Sequence, residues 1–216
     1  MNSIESVIFD WSGTIQDDRK PVYETNMRIL ESFGKPRMDF EAFLPKTMLT
    51  APKFLINNGV KEYPEYLSKL YKKFLDKVMK EGIIPEVYPD ARSTLQYLHM
   101  KNIILGVVSS HPEEILRKDA KRYHFSDYYS LIKGDSKNKT ADLNDICKKL
   151  RLKKSSCVYV DDTIWGIRAA KKAEVISCGI TTGYHTREML VNEQPELLID
   201  NLSELKQLAW VDLNEN

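Results

Sequence analysis

Two hydrophobic rhythms divide the chain. Over residues 16–86 apolar residues recur at helical spacing, whereas beyond Pro85 short apolar runs of strand length alternate with helical segments. In the first block Pro21 suits a first helical turn, Tyr23, Met27 and Leu30 follow at i, i+4 and i+7, and Gly34 closes the segment. A short piece around Phe40, Phe43 and Leu44 is expected to end at Pro45. Thr50 can cap a helix that carries Pro52 in its first turn and stops near Gly59. The strongest helical pattern runs from Pro64 to Met79, with Leu67, Leu70, Tyr71, Phe74 and Val78 on one face, lysines on the other, and Gly82 at its end. The lysine face reads as solvated surface. Tyr63, Tyr66, Tyr71, Phe40 and Phe43 read as the core of this helical block.

Past Pro85, helices are expected from Ala91 to Met100, after His111-Pro112, from Ala141 to Leu150, after Asp162, and near Thr186 to Val191. Strands are expected at Ile103–Val108, Tyr129–Ile132, Cys157–Val160, Val175–Ile180 and Leu197–Ile199, and Ser203 is placed to cap a last helix. One further strand precedes the helical block: the apolar run Val7-Ile8-Phe9 stops at Asp10, and Gly13 then allows a sharp turn. Strands alternating with helices predict an α/β fold, a doubly wound, Rossmann-like parallel sheet. The helical block, residues 16–86, is therefore an insertion into a core made of residues 1–15 and 87–216. Asp212 to Asn216 read as a frayed end.

Composition narrows the function classes. Of 216 residues 42% are hydrophobic and 29% charged, and the net charge is +1. No global field favours nucleic acid or an anionic membrane. No apolar run approaches the roughly 18 residues that span a bilayer, and Met1-Asn2-Ser3-Ile4-Glu5 lacks the pattern of a signal peptide. Cys147, Cys157 and Cys178 form no C-x-x-C pair and read as small buried hydrophobes in a reducing, cytoplasmic setting. A small-molecule partner is the expectation that remains.

Three strand ends offer polar groups to one crevice: Asp10, Ser109 and the pair Asp161-Asp162. Open α/β sheets place ligands at such ends. Between the last two lies the loop Lys133 to Lys139. Paired carboxylates suit a hard cation such as Mg²⁺. A hydroxyl and a lysine complete a cradle for a phosphoryl group. The cradle has a purpose, because a carboxylate attacking a phosphate brings two anions together at a cost of about 4 kcal/mol at 4 Å near a protein surface. Each piece has an ordinary alternative: Ser109-Ser110 and Asp161-Asp162 also suit helix caps, and Lys139 also suits a solvated surface.

In this order the motifs resemble those of the haloacid dehalogenase superfamily. Val7 to Asp17 resembles its first motif. Tyr88-Pro89-Asp90-Ala91 together with Ile104 to Ser110 is similar to the second, and Lys139-Thr140, with Lys137 as a rival, to the third. Val158 to Thr163 followed by Ala169-Ala170 is similar to the fourth. Leu198 to Leu205 resembles the ending of phosphoglycolate-phosphatase-like members. The resemblance implies a helical cap of the C1 type and a hydrolase acting on a small phosphomonoester through an aspartyl-phosphate on Asp10. It implies Mg²⁺ held by Asp10, the backbone carbonyl of Ser12 and Asp162, and phosphoryl oxygens held by Ser109 and Lys139, with Ser110 beside them. Asp161 would orient its neighbours around the metal.

Two positions depart from the pattern. Ser12 stands where family phosphatases carry a second Asp, the proton donor to the leaving group and later the base for water. A serine cannot cycle a proton near neutral pH, and such a group contributes roughly 10²–10⁴-fold to rate. Gly166 stands where many members carry another acid. A slow or specialised phosphatase is one consequence. Phosphonate cleavage is another, since Asp10-Trp11-Ser12-Gly13-Thr14 is similar to the first motif of phosphonoacetaldehyde hydrolase, which uses a cap lysine; Lys46 is the candidate here and Lys53 the second, although Leu49 and its neighbours do not reproduce that lysine's surroundings. A non-catalytic member that binds a phosphorylated ligand or a protein is the third.

Overall fold

The computed structural model describes residues 4–47 and 50–208, so Leu49 and the segment from Asp212 to Asn216 lie outside the described residues. The chain divides into two compact units, Met1–Gln16 with Val87–Asn216, and Asp17–Glu86.

The first unit is built on a six-stranded parallel sheet. Its strands are β1 (Ser6–Phe9), β4 (Ile104–Val108), β5 (Tyr129–Lys133), β6 (Cys157–Asp161), β7 (Ile176–Ile180) and β8 (Leu197–Ile199), in the spatial order β5-β4-β1-β6-β7-β8. Two short strands, β2 (Gln16–Asp17) and β3 (Glu86–Val87), pair as a separate two-stranded sheet. The order reverses at β1: the chain first winds outward through β4 and β5, then returns to the other side of β1 for β6. A parallel sheet wound this way opens a crevice at the carboxyl ends of the two strands flanking the reversal.

Side-chain alternation explains why these segments are strands. Val7 and Phe9, with Val158 and Val160, face one core together with Leu95 and Leu98 of α5 (Ala91–Met100) and Leu116 and Ala120 of α6 (Glu113–Arg122). Ile8 and Tyr159 face the opposite core, packed by Leu143 and Ile146 of α7 (Lys139–Lys149) and Ala169, Ala170 and Ala173 of α8 (Ile164–Ala173). Burial on both faces matches the continuous apolar runs expected of parallel strands. The three cysteines are buried and free. No helix among the described residues is long and apolar enough to cross a membrane.

The second unit is helical: α1 (Arg19–Ser32), α2 (Phe40–Phe43), α3 (Ala51–Asn57) and α4 (Pro64–Lys80). Edge-on ring contacts run from Phe40 through Tyr23 and Phe43 to Phe54. Tyr63 and Tyr66, expected in this core, are 78% and 48% exposed. Tyr63 precedes the first turn of α4, and Tyr66 sits one residue, about 100° of helix, off the stripe that buries Leu67 and Val78. Pro45 does not end the chain's helical course, which continues as a 3₁₀ turn over Leu44–Lys46. Ser203 does not cap a helix: it lies inside a 3₁₀ segment, Leu202–Gln207, and its hydroxyl donates to Asn201.

Candidate active site

The loop after β1 is folded over one carbonyl. The amides of Thr14, Ile15 and Gln16 all point at Trp11 O, at 3.3, 2.8 and 3.0 Å, and Gly13 N donates to Gln16 O at 2.8 Å. The turn puts Gly13 at φ +75°, which favours glycine. Trp11 is wholly buried, and its indole N–H donates to Gln16 Oε1 at 3.2 Å. Asp10 leaves β1 beside β6, with its amide on Val160 O at 2.8 Å. Its carboxylate thereby enters the crevice at the reversal of strand order.

Asp161 and Asp162 enter the same crevice from the end of β6. Both are 0% exposed and Asp10 is 5% exposed, and the carboxylates of the three approach within 4.8 Å of one another. Lys139, the first residue of α7, answers them. Its Nζ lies 2.6 Å from Asp161 Oδ2 and 3.2 Å from Asp10 Oδ1. A lysine in a first helical turn has the wrong sign for the helix dipole, and here the side chain reaches away to two buried acids. Burial alone would lower the Lys139 pKa; the charges of Asp10 and Asp161 outweigh it and hold the ammonium above its ordinary value.

One ammonium does not balance three buried carboxylates. Burial is the first cause that pushes the Asp10 pKa up to about 6, opposed by Lys139 and the Ser109 hydroxyl and assisted by Asp161. Burial, with the charges of Asp161 and Asp10, raises Asp162 well above the usual carboxylate range. Asp10 Oδ1 is buried and accepts no hydrogen bond of good geometry, although it lies beside the ammonium. Crowded anionic oxygens with one orphaned acceptor fit a divalent cation, which takes oxygen ligands and removes the repulsion. The group formed by Asp10, Asp161 and Asp162 can hold a metal ion.

The other sequence candidates fall as follows. Ser109 is 1% exposed, at the end of β4; it acts on the Asp10 carboxylate, and its Oγ accepts from His111 N at 3.3 Å, so it is not the cap of α6. Ser110 is exposed. Lys137 is exposed, whereas Lys139 reaches the carboxylates. Ser12 is half-buried on the loop after β1. Asp161 and Asp162 do not cap α8; Thr163 does, accepting from Gly166 N at 3.1 Å while its hydroxyl and amide donate to Asp161 Oδ1 at 2.7 and 2.8 Å. Lys46 and Lys53 belong to the helical unit and are exposed there.

A second strap holds the site that the sequence reading did not single out. The loop between β7 and α9 (Arg187–Asn192) carries Thr182, Gly183, Tyr184 and His185. Thr182 Oγ1 donates to Gly13 O at 2.7 Å, Tyr184 N donates to Asp162 Oδ2 at 2.7 Å, and His185 Nδ1 accepts from Ile164 N at 2.9 Å. His185 is buried, and its desolvation holds its pKa below the ordinary value, in keeping with a neutral acceptor. Asp162 is also gripped sterically: a Cβ on Gly13 would meet its Oδ2 at 2.4 Å and one on Gly183 at 2.0 Å. The visible signal was the Thr-Thr-Gly-Tyr-His run directly after an apolar strand, but two of its contributions are a backbone amide and the absence of a side chain.

The haloacid dehalogenase-like hydrolase family profile matches residues 4–174, from β1 through α8. The chain belongs to that family of hydrolases. Among similar proteins is a phosphoglycolate phosphatase of Vibrio cholerae, 25% identical over 227 residues that cover 98% of this hydrolase and 99% of the relative. Another, from Salmonella typhi, is 27% identical over 160 residues, 72% of this chain and 63% of the relative, so the match spans just under two thirds of that protein. A crystal structure described as a predicted phosphoglycolate phosphatase from Haemophilus somnus superposes with a TM-score of 0.80 at 19% identity, covering 96% of this chain and 98% of the other. At that identity the likeness speaks for the fold, and the fold is the Rossmann-like one expected of the hydrolase.

Proposed function

We propose that this hydrolase is a Mg²⁺-dependent phosphatase of a small phosphorylated metabolite, working through an aspartyl-phosphate on Asp10, with residues 17–86 as a helical cap. The observation that carries this reading is the placement of Lys139 Nζ between Asp10 and Asp161, in a buried cluster that also holds Asp162. The names of the curated relatives point the same way and suggest 2-phosphoglycolate as a first compound to try.

Asp10, Asp162 and the Ser12 carbonyl would hold Mg²⁺, which when bound supplies positive charge against the phosphate and the acids. Asp10 attacks phosphorus in line with the leaving oxygen. Lys139 and Ser109 hold the non-bridging oxygens, where charge accumulates in the transition state. Asp161 keeps Lys139 aimed, since its own carboxylate is fixed by the Thr163 amide and hydroxyl. Water then attacks the acyl phosphate and returns Asp10 to a carboxylate.

The test is phosphate release from a panel of small phosphates, run with Mg²⁺, with a chelator, and with Asp10→Asn. Release that needs Mg²⁺ and disappears in Asp10→Asn is expected. Release that survives in Asp10→Asn overturns the reading.

A further inference from the structure

The firmest hold on the Asp162 carboxylate is a backbone amide. Oδ2 accepts from Tyr184 N at 2.7 Å, whereas Oδ1 meets the Thr14 hydroxyl only at 3.5 Å, the outer limit of such a bond. The aim of this carboxylate therefore depends on the direction of one peptide N–H. Local preference does not fix that direction. The residue before Tyr184 is Gly183, and glycine has the freest dihedrals of any residue. The close approach of Asp162 also forbids a side chain there that would narrow them. The restraint has to come from the peptide on the other side of Gly183.

Tyr88, which follows directly on β3, supplies it. Its hydroxyl donates to Thr182 O at 2.7 Å. Because the peptide unit is planar, that bond restrains the whole unit joining Thr182 to Gly183. Tyr88 is itself a firm post. Its amide donates to Ile15 O at 3.1 Å, its carbonyl accepts from Ala91 N at 3.0 Å at the start of α5, and its ring packs against the core that holds Phe9 and Leu95. The Thr182 hydroxyl adds a second tie to the same segment, donating to Gly13 O. Gly183 is thus bracketed: Tyr88 binds the peptide before it, and Asp162 binds the peptide after it.

We propose, resting on the Mg²⁺ reading above, that Tyr88 is a positioning residue for the metal: by holding the peptide between Thr182 and Gly183, its hydroxyl keeps the Tyr184 amide on Asp162 and that carboxylate in place to ligate. Tyr88 need touch neither metal nor substrate. Without its hydroxyl the fold and all the ligands remain, but a smaller fraction of molecules holds Asp162 ready. The apparent Kd for the ion rises by the inverse of that fraction.

The experiment titrates the full chain with Mg²⁺ alone, by calorimetry or, where binding is weak, from the Mg²⁺-induced rise in Tm. Tyr88→Phe keeps the ring and should weaken binding by about tenfold, the low end of the range for lost partners of a metal ligand. Tyr23→Phe is the matched control: its hydroxyl donates to Met38 O at 2.7 Å in the helical unit, and its loss should leave the Kd unchanged. The deciding comparison uses Gly183→Ala, in which a methyl group crowds Asp162 off the Tyr184 amide. On that background Tyr88→Phe should have almost no further effect, because the route it acts through is already broken. A bond that only stabilises the fold would weaken binding by the same factor on both backgrounds. Unchanged binding in Tyr88→Phe, an equal loss in Tyr23→Phe, or equal factors on the two backgrounds would overturn the proposal and leave the Mg²⁺ reading standing. Absence of Mg²⁺ binding by the wild type would overturn both.

Discussion

The carboxylate of Asp161 occupies the space that a side chain at Gly166 would need: a Cβ built on Gly166 meets Asp161 Cγ at 1.9 Å. The acid at the end of β6 and the glycine in the first turn of α8 are sterically matched. Gly166, which departs from the pattern the sequence resembles, is therefore coupled to Asp161, whose carboxylate lies directly above it.

That coupling predicts a compensated pair of substitutions. Gly166→Asp alone should destabilise the chain by about 1–3 kcal/mol, the usual penalty of overpacking. Asp161→Gly should cost stability of its own, since it strips Lys139 and Thr163 of an acceptor, but the double variant should lose less than the sum of the two single losses. Thermal unfolding of the three variants checks this; strictly additive losses would show that the two positions are independent.

Gly183 makes a separate prediction about metal. A methyl group there would lie 2.0 Å from Asp162 Oδ2 and would push the carboxylate off the Tyr184 amide. Gly183→Ala should weaken Mg²⁺ binding by roughly 10–100-fold, the range found when partners that orient a metal ligand are lost. Titration calorimetry with Mg²⁺ alone measures it, with no substrate present.

Lys139→Met tests the charge balance. Removing one partner of a buried ion pair commonly costs about 3–5 kcal/mol, because the remaining charges stay buried without compensation. The variant should unfold at markedly lower urea concentration. Saturating Mg²⁺ should return part of the loss, since binding to the folded state alone stabilises it by about 2.7 kcal/mol at a hundredfold excess over Kd.

The raised acids set a pH dependence with a definite sign. Asp10 titrates at about 6 when folded and near 3.8 in an ordinary setting, and Asp162 is displaced the same way. Between those values the folded chain holds more protons than the unfolded one. The contribution of Asp10 to stability is thus complete below pH 3.8 and is lost as pH rises through about 6, and that of Asp162 is lost in the same direction. Protons and Mg²⁺ compete for the same oxygens. Mg²⁺ affinity should therefore fall as pH drops through 6, and the Mg²⁺-induced rise in Tm should be larger at about pH 8 than at about pH 5. Equal rises at both values would mean that these carboxylates do not bind the ion.

Much of the architecture was legible because it rests on periodicity. The strands β1, β4 and β6 rest on short apolar runs, and the helices between them carry one apolar face, so the alternation and the parallel sheet followed. The convergence of Asp10, Asp161, Asp162 and Lys139 was also legible, since strand ends and a helix start are positions a sequence can reveal. What escaped depends on features without a side-chain signature. Tyr184 contributes an amide, Gly183 contributes room, and His185 contributes an acceptor to a backbone N–H. Tyr63 and Tyr66 misled for a different reason: aromatic character suggested burial, but Tyr63 precedes the first turn of α4 and Tyr66 lies off the helix's buried stripe.

The strap from residues 182–185 has a bearing on how the molecule comes into being. Every residue that would take part in chemistry lies at or before Asp162, yet the groups that fix the Gly13 carbonyl, Asp162 and the Ile164 amide are translated later. A nascent polypeptide released from the ribosome only as far as α8 would hold all its reactive groups and still be unable to lock them. The lock on these groups is therefore completed only by residues made after β7.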